Sequence, residues 1–194
     1  MAIARYDSLP VFHREISSTE AAIDYEGKVA GLWHFILHHY FPSIEEYVHR
    51  PQDKVESGFL DFHTAHWMRG QECLFLVTQT KREARDVGEL AWDEGKAQLA
   101  RYLAAQARLT RSRQDHLRGA LWSSAATRRY GIVAVGKRCR FYEYGGSGLH
   151  PIADERDEED EEDEGEEGDE SVKYSLVKNA RAVHKKLLQI KRKH

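Results

Sequence analysis

Asp61, Gln79 and Lys81 are residues whose types and spacing could do chemistry together. Asp61 is expected on one strand and Gln79-Thr80-Lys81 at the end of the next, with a turn among the eighteen positions between. On an alternating strand Gln79 and Lys81 share a face while Thr80 turns away. A carboxylate, an amide oxygen and an ammonium then stand together at the open end of adjacent strands. Hydrolysis of a phosphodiester needs such a set: oxygen ligands for Mg²⁺ (or Mn²⁺), and a cation that positions water or stabilises developing charge. Glu26, ahead of the apolar stretch around Trp33, offers a second carboxylate, with Glu20 and Asp24 as competing choices that spacing alone does not separate. The plainer reading of Asp61 and Lys81 is a surface ion pair beside a hairpin. For Glu26 it is a solvated helix-face carboxylate.

Periodicity outlines the elements that must position these groups. Ser17-Ser18-Thr19 and Glu20 offer helix-start chemistry, and Ala22, Val29, Leu32, Trp33, Ile36, Leu37 and Tyr40 recur at helical spacing up to Pro42. One helix over 18–41 is expected, after a short lead over 1–17. Strands follow at Tyr47-Val48-His49, at 55–64 through Phe59, Leu60, Asp61 and Phe62, and at Leu74-Phe75-Leu76-Val77 beyond a turn at Arg69-Gly70-Gln71. Residues 87–109 read as a second helix, 110–129 as a basic stretch, and 130–135 with 140–144 as a hairpin about Gly136-Lys137. The fold class is α/β, a mixed central β-sheet flanked by helices.

On these residues the chain resembles the PD-(D/E)XK nuclease superfamily, the restriction-endonuclease-like fold. That family sets an acid on a first helix, an Asp on a second strand and (D/E)-x-K on a third. The matching residues here are Glu26, Asp61, Gln79 and Lys81. Gln98 and Tyr102 look like the Gln-x-x-x-Tyr motif of the recombination-exonuclease branch. Trp33 with Tyr40-Phe41-Pro42, Asp61-Phe62 and the segment 131–144 are similar to uncharacterised fungal proteins with nuclease-like domains. The resemblance spans about residues 20–145. It implies a metal site of Glu26, Asp61 and Gln79, with Lys81 orienting the attacking water and Gln98 and Tyr102 guiding a DNA strand. Gln79 departs from the family's Glu or Asp and brings no negative charge, which lowers metal affinity. Two functions follow: a Mg²⁺- or Mn²⁺-dependent nuclease, or a catalytically degenerate nuclease fold that binds nucleic acid or protein. Gln98 and Tyr102, one helical turn apart, also fit a simple packing pair.

Arg108, Arg111, Arg113, Arg118, Arg128 and Arg129 fit a surface tracking a polynucleotide backbone, with Arg111 and Arg113 as substrate contacts, or a plain solvated loop. His63 and His66 would face opposite sides of a strand and His38 and His39 diverge on a helix, so neither pair makes a zinc site. His63 shares a strand face with Asp61 and would line the cleft. Cys73 and Cys139 have no CxxC partner and read as small buried hydrophobes.

The net charge of −3 hides a cancellation. Residues 154–170 carry 14 acidic side chains and one basic, for −13, while 171–194 carry 8 basic and no acidic ones, leaving +2 for 1–153. The expected organisation is an N-terminal lead over 1–17, a nuclease-like domain over 18–153, a disordered acidic linker over 154–170 and a basic amphipathic C-terminal helix over 171–194. The acidic run reads as a solubilising linker or as a polyanion competing for a cationic groove. In the last segment Leu176, Ala180, Val183, Leu187 and Ile190 form a stripe that could dock on the domain, engage a partner protein or lie on an acidic surface. With 41% hydrophobic residues, two cysteines, no secretory pattern in 1–14 and no long apolar run, the expectation is an intracellular protein, nuclear or cytoplasmic, with DNA as partner and no membrane. Lys191-Arg192-Lys193 is a weak nuclear-import signal.

Overall fold

A computed structural model describes residues 3–21, 26–51, 54–55, 58–59, 62–82, 88–116, 128–145, 148–153 and 172–194. Helices α1 (Pro10–Ala21) and α2 (Glu26–Tyr40) come first. Strands β1 (Tyr47–Pro51), β2 (Lys54–Val55), β3 (Gly58–Phe59), β4 (Phe62–Met68) and β5 (Gln71–Lys81) follow. Helix α3 (Leu90–His116) crosses to β6 (Arg129–Val135), β7 (Arg138–Gly145) and β8 (Gly148–Pro151). The short strand β9 (Tyr174–Ser175) and helix α4 (Ala180–Lys193) close the described chain.

Among the described residues seven strands form one mixed sheet in the order β1-β4-β5-β6-β7-β8, with β9 paired to the free half of β7's edge. Only β5 and β6 run parallel among these pairs, because α3 carries the chain back between them. The turns set the antiparallel registers. Met68 pairs with Gln71 across Arg69-Gly70, whose φ values of 52° and 74° suit a two-residue hairpin turn of the primed type. Val135 pairs with Arg138 across Gly136-Lys137, where the sequence places a hairpin.

Helices cover both faces, as the α/β expectation requires. On one face α1, α2 and α4 bury Phe12, Leu32, Trp33, Ile36, Val183 and Leu187 against Phe75, Tyr130, Ile132 and Phe141. On the other, α3 buries Trp92, Leu99, Tyr102 and Leu103 against Val77, Val133, Val135 and Tyr142. Gly131 permits a close approach there: a Cβ on it would stand 2.3 Å from Leu99 Cδ2.

Several boundaries differ from the sequence expectation. Helix starts at Pro10, a residue tolerated in a first turn, and among the described side chains of α1 Phe12 and Ile16 anchor it to the core. Two apolar positions are too few to show as periodicity. Residues 22–25, in the middle of the expected 18–41 helix, lie outside the described residues. The expected 55–64 strand is represented by β2 and β3, which pair with each other, and by β4, which begins at Phe62. Helix α3 runs seven residues past Leu109, through polar sequence with no core face to signal it. The acidic run lies outside the described residues.

The C-terminal stripe is committed inside the molecule. Leu176, Ala180, Val183, Leu187 and Ile190 are all buried. Tyr6 Oη donates to Leu176 O at 2.8 Å, Lys186 Nζ to Ile152 O at 2.6 Å and Lys191 Nζ to Tyr40 O at 2.8 Å. A partner protein bound through this apolar stripe would have to displace the core, so that expectation gives way to docking on the domain. None of the described helices is long and apolar enough to cross a membrane.

Candidate functional site

The parallel register sorts β5 into two faces. Leu76, Thr78 and Thr80 stand opposite Tyr130, Ile132 and Ala134, which point to the α1, α2 and α4 side. Val77, Gln79 and Lys81 stand opposite Gly131, Val133 and Val135, beneath α3. Gln79 and Lys81 therefore share a face and Thr80 turns away. Lys81 ends the strand beside Val135, at the carboxyl ends of the parallel pair, where α/β sheets commonly bind ligands. Gly136 N donates to Lys81 O at 3.1 Å and fixes that end.

Glu94, on the second turn of α3, completes the cluster. Lys81 Nζ lies 3.5 Å from Glu94 Oε1, and Gln98 Nε2 donates to the same oxygen at 3.1 Å. Glu94 and Gln98 sit four apart on one helix face. The lysine side chain is 18% exposed and the glutamate 56%, so the cation is held in place while the carboxylate reaches water. Gln79 is 2% exposed, and its Nε2 has no hydrogen-bond partner among the described residues. A buried donor left unpaired costs about 1–3 kcal/mol.

The remaining expected residues fall unevenly. Tyr102 is buried in the α3 core cluster. Glu26 is the first residue of α2, but its side chain lies outside the described residues, as does the whole of Asp61. Arg111 and Arg113 lie on the last turns of α3, their side chains likewise outside. His63 does not line an open cleft: it is 4% exposed and Gln106 Nε2 of α3 donates to its Nε2 at 2.6 Å. Cys139 is fully buried and Cys73 half-buried. Burial pushes the Cys139 thiol well up.

A histidine cluster lies on the opposite face. His34 and His38, one helical turn apart, bring their Nε2 atoms to 3.1 Å. The His38 ring centroid is 4.4 Å from that of His49 on β1. His49 Nε2 donates to Phe41 O at 2.9 Å, and its Nδ1 accepts from Thr64 Oγ1 at 3.0 Å. Burial pushes His49 down to about 4 and lowers His34 as well. Both nitrogens of His49 are thus spent within the protein. His39 turns elsewhere, its Nε2 2.7 Å from Ala4 O.

Among the described residues no group of three His, Cys, Asp or Glu could hold a metal ion. The described part of the β5 site brings one carboxylate, Glu94, already shared by Lys81 and Gln98. Mg²⁺ asks for near-octahedral oxygens with one or two carboxylates free to bind. The described donors do not meet that demand.

The sequence signal for Glu94 as Lys81's partner is slight: an acidic residue early in the crossover helix, four before Gln98. No family model matches the chain, nor does any curated protein or solved structure.

Proposed function

We propose that this chain is a nuclease-like α/β domain of PD-(D/E)XK organisation that binds the phosphodiester backbone of nucleic acid, DNA first. The observation that carries this reading is the β5-α3-β6 crossover, which sets Gln79 and Lys81 on one face under the Gln98 turn of α3. The element order supports it: Glu26 opens a helix, the strand beginning at Phe62 pairs with β5, and the helix bearing Gln98 and Tyr102 follows. Helix α3 adds charge. From Lys96 to His116 it carries five basic residues, Lys96, Arg101, Arg108, Arg111 and Arg113, against one acidic, Asp115. Lys96, Arg101 and Arg108 are exposed. From Lys96 to Arg108 these exposed cations span about 18 Å along the helix at the helical rise, the reach of about three successive phosphates.

Lys81 is a cation set into this face, its side chain 18% exposed. Its charge is answered by a solvent-exposed carboxylate, which a phosphate oxygen can replace at low cost. Gln79 removes one anionic metal ligand that hydrolysis would use, so binding without cleavage is the better-supported form.

The test is anisotropy of a labelled DNA duplex at 50 and 200 mM salt, with a parallel cleavage assay in Mg²⁺ or Mn²⁺. Affinity falling steeply with salt and weakening in Lys81→Ala is the expected result. Cleavage lost in Lys81→Ala would assign the hydrolytic form. Affinity insensitive to salt would refute the backbone-binding reading.

A further inference from the structure

We propose that Arg140 and Lys173, meeting over Trp92 at the start of α3, form a phosphate-binding site in which Glu89 is a displaceable occupant. Arg140 lies opposite Val133 in the β6–β7 register, so it points to the α3 face, and it is 5% exposed. Its guanidinium carbon stands 4.7 Å from the Trp92 ring centroid. Lys173 approaches the same ring, its Nζ 5.7 Å from the centroid. Two cations thus flank one indole, itself 3% exposed and closed to stacking by a ligand.

Both cations share one carboxylate. Arg140 Nη2 lies 3.4 Å from Glu89 Oε2, and Lys173 Nζ pairs with Glu89 Oε1. Glu89 immediately precedes α3, its carbonyl accepting from Trp92 N and Asp93 N. The hydrogen bond from Lys173, with the charges of Lys173 and Arg140, holds its carboxyl below the usual carboxylate range. Glu89 is therefore an anion at neutral pH.

The match is incomplete in three ways, and each points to a richer anion. Among the described residues, Arg140 and Lys173 bring two positive charges against the single negative charge of Glu89. The 3.4 Å contact is long for a guanidinium–carboxylate bond, which normally closes to about 2.7–2.9 Å. Arg140 Nε is buried with no hydrogen-bond partner among the described residues. A buried guanidinium is costly unless its donors and charge are met. A phosphate monoester carries up to two charges and three terminal oxygens, and guanidinium geometry suits it.

Accessibility favours exchange. The Arg140 and Lys173 side chains are 6% and 29% exposed, while that of Glu89 is 59% exposed. The cations are anchored by the sheet and the indole; the carboxylate rides on a surface side chain that can swing into water. Arg140 also stands two strands from Gln79 through Val133, about 10 Å at ordinary strand spacing. The site is thus a neighbour of the Lys81 cluster and distinct from it.

The experiment is calorimetric titration of the full chain with inorganic phosphate at low ionic strength, with Glu89→Gln and Lys173→Gln alongside. Glu89→Gln is expected to bind phosphate about five- to tenfold tighter, because the competing anion is gone, and Lys173→Gln to bind about five- to tenfold weaker. Both variants change exposed or half-exposed side chains, and circular dichroism checks that they fold. Phosphate affinity unchanged in both folded variants overturns the proposal. A 5′-phosphorylated oligonucleotide and its 5′-hydroxyl twin separate the sources. Tighter binding of the phosphorylated strand than of its 5′-hydroxyl twin assigns a nucleic-acid end, and equal binding of the two assigns a small phosphate ester. Phosphate binding without any oligonucleotide binding would strike the nucleic-acid reading and leave this site standing; salt-sensitive duplex binding without phosphate binding would do the reverse.

Discussion

Gly131→Ala should destabilise the protein, although replacing a strand glycine by alanine ordinarily helps. Removing a glycine's freedom from the unfolded chain is worth about 0.4–1 kcal/mol in favour of the fold. Here the added Cβ would lie 2.3, 2.7 and 2.8 Å from Cδ2, Cδ1 and Cγ of Leu99. Ordinary carbon contacts are about 3.5–4.0 Å, so Leu99 would have to retreat by more than about 1 Å. Rotating one methyl away does not clear the clash, because the branch carbon is also too near, and Leu99 is fully buried. Overpacking costs about 1–3 kcal/mol, and three contacts this short on a fully buried side chain put it at about 2–3 kcal/mol, for a net loss of about 1–2.6 kcal/mol. Leu99→Ala alone opens a cavity and should cost about 2–5 kcal/mol. The methyl added at position 131 partly fills that cavity, so the double variant should lose about 1–3 kcal/mol less than the sum of the singles. Urea unfolding of the four proteins measures the cycle. A Gly131→Ala protein as stable as the parent, or singles that simply add, would refute the close seating of α3 on β6. That seating matters because it holds Glu94 and Gln98 over Lys81.

Three further outcomes are expected. Stability should fall as pH drops from about 6.5 toward 4: His49 is held neutral in the fold with its pKa pushed to about 4, the unfolded chain binds the extra proton in that window, and the loss by pH 4.5 is about 2–3 kcal/mol. Denaturant midpoints at pH 7 and 4.5 check this, and an equal pH slope in His49→Gln would disprove the assignment. Leu187→Ala, at a fully buried position of α4, should cost about 2–5 kcal/mol in thermal or urea unfolding; a loss under about 1 kcal/mol would mean that α4 is not part of the core. Deleting residues 154–170, which removes a net −13, should tighten DNA binding at low salt and leave it little changed at high salt. Equal affinity of the two proteins at low salt would show that the run is a linker only.

Local chemistry carried much of the fold. Arg69-Gly70 and Gly136-Lys137 are turn pairs whose glycines accept positive φ, and the structure hinges its two long hairpins there. Pro42 ends a helix because it lacks an N–H and crowds the preceding turn, and α2 stops at Tyr40. The α4 stripe shows in its spacing of four and three. Strand alternation alone puts Gln79 and Lys81 on one side of β5.

Periodicity names an apolar face and is silent about what covers it. The stripe of α4 fits a partner protein as well as its own domain, and only packing against Tyr6, Tyr40 and the sheet chose the second. Lys81 meets Glu94 across 13 residues, and Arg140 meets Glu89 across 51. Those distances in the chain close only because α3 crosses the sheet and returns β6 parallel to β5. Residue type and alternation thus determined which side chains carry charge and which way a strand presents them. Tertiary structure decided which charges meet, because the contacts are made by layers that no local pattern specifies.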